Sequence, residues 1–87
     1  MRIHEAPHGI NLVVETPETI YIGRFDHTDG FQVVMRDCAI HPVSSPASAE
    51  AFVKNTAKYG ISVDRREVVL EASRVGRVRL LGEIPKD

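Results

Sequence analysis

Only one cysteine, Cys38, stands in the sequence, so no disulfide forms within the chain. No C-x-x-C pair and no Cys/His spacing points to zinc. A chain of 87 residues is near the small end of what folds alone, and a core of that size leaves only a few kcal/mol of net stability. With no disulfide and no metal pattern, association with other chains is the support left open. Scarcity of cysteine fits a cytoplasmic protein. The opening MRIHEAPHG has no apolar stretch, so no signal peptide is expected. No apolar run approaches the roughly 20 residues that span a bilayer. Charge of one sign is also missing: 11 Lys and Arg stand against 12 Asp and Glu, for a net charge of −1. That balance argues against general electrostatic attraction to nucleic acid. There is no phosphate loop, dinucleotide fingerprint or G-x-S-x-G. No cofactor is expected, and the chain is not expected to be an enzyme.

What is present is a single domain over residues 1–87 with strand-like alternation. Residues 1–9 are polar, with His4, Pro7 and His8, and are expected to be a loose arm. Residues 10–15 (INLVVE) and 19–25 (TIYIGRF) predict strands, separated by Thr16-Pro17-Glu18. Pro17 cannot donate to a ladder, so it marks a bulge, a bend or an edge. Gly23 lies inside the second strand, where a glycine marks a sharp bend or a close backbone approach. Residues 31–38 (FQVVMRDC) alternate again, with Phe31, Val33 and Met35 on one face. The DHTDG between them predicts a hairpin turn, because Asp accepts backbone N–H groups and Gly adopts positive φ.

Ser45 and Pro46 read as an N-cap followed by proline at the first helical position. Ala49, Phe52, Val53, Thr56 and Ala57 then fall at helical spacing, and Gly60 ends the helix. Residues 45–59 are therefore expected to be a helix, inserted between the third and fourth strands. Residues 67–71 and 75–81 predict the last two strands, joined tightly at Ala72-Ser73-Arg74. The fold class is mainly β, and bent strands in a short chain suggest a small barrel. An open α+β sheet with the helix on one face is the alternative.

The stretch YIGRFDHTDGFQVVMRDCA resembles the first motif of Sm-like proteins, the LSm and Hfq group. Gly23, Asp29, Phe31, Val33-Val34-Met35 and Arg36-Asp37 follow in the order of that motif. Val68-Val69-Leu70 stands where the strand of the second motif falls. The asparagine that commonly follows the first loop is replaced by Gln32 or Val33, and the helix stands between the motifs rather than before them. The resemblance implies a strongly bent, five-stranded antiparallel Sm-like (SH3-like) barrel. It implies a homo-oligomeric ring of roughly five to eight subunits paired edge to edge, with possible single-stranded RNA binding at the pore.

On that resemblance the candidate RNA-binding residues are His27, Asp29, Phe31 and Gln32 in the first loop, with Arg74 and Arg77 near the second. Phe31 or His27 would stack on a base, Gln32 would bond its edge, and the arginines would meet phosphates. The competing assignments are ordinary: Phe31 in the core and the arginines on a solvated face. A ring without nucleic acid is the alternative function. Asp26, His27 and Asp29 lie close enough in sequence to share a metal, but three residues of one turn rarely converge, and a hairpin tip with Asp29 bonding its own backbone is preferred. Cys38 is expected to be a buried small hydrophobe. His41 has no assignable partner, and Ser44, Ser45 and Ser48 read as capping residues.

Overall fold

The computed structural model describes residues 1–85; Lys86 and Asp87, the last residues of the predicted domain, lie outside the described residues. Five strands, β1 (Asn11–Glu15), β2 (Thr19–Thr28), β3 (Gln32–Pro42), β4 (Arg65–Glu71) and β5 (Val78–Leu80), form one sheet. Its order is β4-β3-β2-β1-β5 and every neighbouring pair is antiparallel. The helix α1 (Pro46–Tyr59) connects β3 to β4. Consecutive strands from β1 to β4 are neighbours, and only β5 returns across the molecule to pair with β1, through Leu12–Leu80, Val13–Arg79 and Val14–Val78.

Both faces of the sheet are apolar, and the period-2 pattern of β1 shows why. Leu12 and Val14 point into a cluster with Phe25, Val33, Met35, Cys38, Val68, Leu70 and Val78. Val13 points the other way, into a cluster with Ile20, Ile22, Ala49, Val53 and Ile84. The first cluster takes residues from all five strands. The second is roofed by α1 and by Ile84. Each fully buried aliphatic side chain contributes roughly 1.5–3 kcal/mol over its exposed state, and Leu12, Val13, Val14, Ile20, Ile22, Val33 and Val53 are all at 0 % exposure. The radius of gyration, 11.7 Å, is close to the roughly 12 Å expected for a compact chain of this length.

Two register shifts bend the β2–β3 ladder. Ile22 pairs with Ala39 and Arg24 with Arg36, so Asp37 and Cys38 together face Gly23. Phe25 then pairs with Met35 and His27 with Val34, which leaves Asp26 as an extra residue on β2. Bulges of this kind increase local twist and redirect side chains. Asp37 adopts φ +50°, a conformation uncommon outside glycine. Gly23 is the close-approach glycine that the sequence predicts: a Cβ there would lie 2.5 Å from Cys38 Sγ and 2.8 Å from the Arg36 carbonyl oxygen.

The helix follows its sequence signals closely. Ser45 Oγ accepts from Ser48 N at 3.1 Å, Pro46 occupies the first turn, and Gly60 closes the helix at φ +95°. Ala49, Val53 and Thr56 are buried, while Phe52 and Ala57 pack beside them. His41 on β3 stacks on Phe52, with centroids 4.7 Å apart, and its Nε2 is 3.0 Å from Ser48 Oγ. Three segments differ from expectation, β5 among them, since it spans only Val78–Leu80 of the predicted 75–81, while the bend expected at Pro17 is present. Residues 1–9 are docked rather than loose: Ile3 and Ala6 pack on the first cluster, and Gly9 N donates to Phe25 O at 2.8 Å. The bulges allow the β2–β3 ladder to continue to Thr28 and Pro42, past the predicted ends. Thr16-Pro17-Glu18-Thr19 is a tight hairpin turn, with Thr16 N donating to Thr19 O at 2.9 Å.

Candidate functional site

The tip of the β2–β3 hairpin is built by one carboxylate. Asp29 Oδ1 accepts from both Phe31 N and Gln32 N at 2.8 Å, and these two bonds hold its carboxyl below the usual carboxylate range. Thr28 Oγ1 donates to Gln32 O at 2.7 Å and accepts from Gly30 N at 3.2 Å. Gly30 turns the chain at φ +94°. This is the hairpin tip that the Asp-Gly pair predicts.

Asp26 and His27 do not join Asp29. His27 Nδ1 lies 2.6 Å from Asp26 Oδ2, and that hydrogen bond lowers the Asp26 pKa, helped by the Arg36 charge. No group of three or more metal-ligating side chains converges among the described residues. His8 Nδ1 approaches the Asp26 carbonyl at 2.6 Å, tying the N-terminal segment to the bulge.

Phe31 was expected to share the inner face of Val33 and Met35. It lies instead outside β3, which begins at Gln32, and the residue is 82 % exposed. The reason is local: the turn through Gly30 points Phe31 outward before the alternation of β3 begins. The residue is nonetheless fixed, because its carbonyl accepts from Ala72 N at 2.8 Å. That bond joins the hairpin tip to the 3₁₀ turn Ala72–Arg74 between β4 and β5. Gly30, Phe31 and Gln32 thereby line one open cleft of about 330 Å³ with Glu71 and Ser73. Glu71 and Ser73 carry no sequence signal of their own. Only the pairing of Gln32 with Glu71 across β3 and β4 brings them there.

Arg74 and Arg77 are held elsewhere. Arg74 bonds Glu18, at the β1–β2 turn, and Arg77 Nε lies 4.0 Å from Glu15 Oε2. Arg79, half-buried, donates to Glu15 at 3.0 Å and to Glu50 of α1 at 2.9 Å. Arg24 pairs with Asp37 and Arg36 with Glu67. The like-charged Arg24 and Arg36, directly opposite across the ladder, are each neutralised by these partners.

A second concavity runs beside β4. Thr19, Tyr21, Val69 and Leu70 line two adjoining hollows of about 470 and 340 Å³, one of them capped by Glu18 and Arg74. Val69 is 51 % exposed on this edge strand. No helix among the described residues is long and apolar enough to cross a membrane. Compared with protein-family models and with curated proteins, the chain matches none.

Proposed function

We propose that the chain is a self-assembling subunit of the Sm-like kind, a small bent barrel that joins its copies edge to edge into a ring of roughly five to eight members. The observation that carries this is the strand order, which leaves β4 and β5 as the two ends of the sheet, each paired on one side only among the described residues. An unpaired strand edge is a template for another chain. Pairing β4 of one copy with β5 of the next uses both ends of every subunit, and such a head-to-tail contact closes into a ring when its rotation allows. Support comes from the one cluster that draws on all five strands and from Gly23 and the two bulges, which are the devices that curve a sheet. Association also adds the burial that an 87-residue core lacks.

Single-stranded RNA at the ring's pore is the second reading. It is favoured by Phe31, which is fixed in its backbone, exposed in its side chain and adjacent to Gln32. Stacking of a base on such an aromatic contributes about 1–3 kcal/mol. The phosphate contribution is weak here, because Arg74 and Arg77 face Glu18 and Glu15. Assembly without nucleic acid is therefore the first reading.

Light scattering on a gel-filtration peak tests it. The expected mass is five to eight times the 9.7 kDa of one chain. Val69→Lys, on the exposed β4 edge, is expected to return the protein to monomer without unfolding it. A wild-type chain that stays monomeric at all accessible concentrations overturns the ring. Fluorescence anisotropy with oligouridine tests the second reading: binding at low salt that Phe31→Ala abolishes supports it, and no binding at low salt refutes it while leaving assembly intact.

A further inference from the structure

Phe31 presents an unusual combination. Its backbone is held on both sides, N–H by Asp29 and carbonyl by Ala72, while the residue as a whole is left 82 % exposed. Ordering a loop has an entropic cost, and here the ordering does not bury the aromatic it positions. Beside it in the same cleft is Glu71, an exposed carboxylate with no ion-pair partner among the described residues. Glu15, Glu18, Asp26, Asp37, Glu50 and Glu67, by contrast, each face a basic group, and Glu5, Asp29 and Asp64 accept backbone N–H groups; among the described residues Glu71 shares its lack of either with Glu83. Gln32 and Ser73 add polar groups to the rim.

We propose that this cleft, lined by Phe31, Glu71, Gln32 and Ser73, binds an arginine side chain of a partner polypeptide. A guanidinium is planar, carries its N–H donors in a fork, and matches a carboxylate with two parallel hydrogen bonds. The same plane stacks on an aromatic face, where the ring quadrupole attracts the cation. Glu71 supplies the acceptor and Phe31 the face; the Gln32 side-chain carbonyl and the Ser73 hydroxyl accept from the remaining N–H groups. Guanine has a related outline, a flat ring with adjacent N–H donors. Its phosphates, however, meet Glu71 and Asp29 here, while the nearby Arg74 is engaged by Glu18. The cationic side chain is thus the better match to the charge of the cleft. This inference does not rest on assembly: the cleft lies at the hairpin tip and the C-terminal end of β4, and all of its lining residues come from one chain.

The test is a nitrogen–proton correlation titration of the full chain with the tripeptide acetyl-Gly-Arg-Gly-amide. The same peptide carrying citrulline, which keeps the shape and loses the charge, is the control, and a five-nucleotide RNA with one central guanine is the competitor. Saturable shifts at Gly30, Phe31, Gln32 and Ser73 are expected with the arginine peptide, in the roughly millimolar range that one side chain allows. Glu71→Gln is expected to weaken binding about fivefold and Phe31→Ala about two- to fivefold. Both residues are exposed, so the variants fold, and the correlation spectrum verifies it. Absence of saturable shifts overturns the proposal, as does equal binding of the citrulline peptide. Tighter binding of the guanine oligonucleotide assigns the cleft to RNA and also overturns it.

Discussion

Gly23→Ala is the sharpest perturbation available in this fold. The added methyl would lie 2.5 Å from Cys38 Sγ, 2.8 Å from Arg36 O and 2.9 Å from Cys38 Cα. Two of those three atoms are backbone, so a side-chain rotation does not relieve the contact. Relief requires the Asp37–Cys38 bulge to move away from β2, and Asp37 is already at φ +50°. Overpacking in a well-packed interior costs about 1–3 kcal/mol, and backbone displacement places this case at or above the upper end. For a domain of this size about 1 kcal/mol corresponds to roughly 4–8 °C in Tm, so a loss of about 10–20 °C is expected. The assay is urea and thermal unfolding at matched protein concentration, because association would make Tm concentration-dependent. Gly82→Ala is the control: no atom lies within 4 Å of its Cβ position and its φ is not positive, so it is expected to be neutral or stabilising by about 0.4–1 kcal/mol. Cys38→Ala in the Gly23→Ala background removes the closest contact and leaves the backbone ones, so it is expected to restore only part of the loss. A Gly23→Ala protein within about 0.5 kcal/mol of wild type would refute the close-approach argument.

Three further outcomes follow from the geometry. Burial first, and the neighbouring Asp37 charge second, push the Cys38 thiol up to about 11, so a colourless-to-yellow disulfide reagent at mildly alkaline pH is expected to label it only as fast as the chain unfolds. Because the folded pKa lies above the unfolded value of about 8.5, the associated stability is present below that pH and is lost as pH rises toward 11; labelling at the rate of a free thiol would contradict the assignment. The Asp29 pKa is lowered by the Gln32 and Phe31 amides, so its contribution is present above the unfolded value of about 3.9 and is lost as pH falls through the folded one; the Phe31 and Gln32 amide shifts should titrate below pH 3.9, and a midpoint above it would count against those two bonds. Arg79→Met should destabilise the fold by about 1–2 kcal/mol, between the values for exposed and buried pairs, because it leaves Glu15 and Glu50 facing each other at the α1–β1 contact; an unchanged urea midpoint would show that the helix does not depend on that link.

Local chemistry determined much of this protein from the sequence alone. Ser45-Pro46 and Gly60 bracket a helix because capping and positive φ are properties of those residues, whatever surrounds them. Asp29-Gly30 forms the hairpin tip for the same reason, and alternation in β3 assigns Val33 and Met35 to one face. Gly23 announced a close approach, although which backbone approaches it depends on the bulge at Asp37. Long-range pairing decided the rest. The docking of Ile3 and Ala6, the outward turn of Phe31, and the meeting of Gln32 with Glu71 depend on strands far apart in sequence. The arginines show the limit most clearly. Arg74 and Arg77 read as free cations until the fold sets them against Glu18 and Glu15, because a charge's availability is a property of its neighbours in space and no spacing along the chain encodes it.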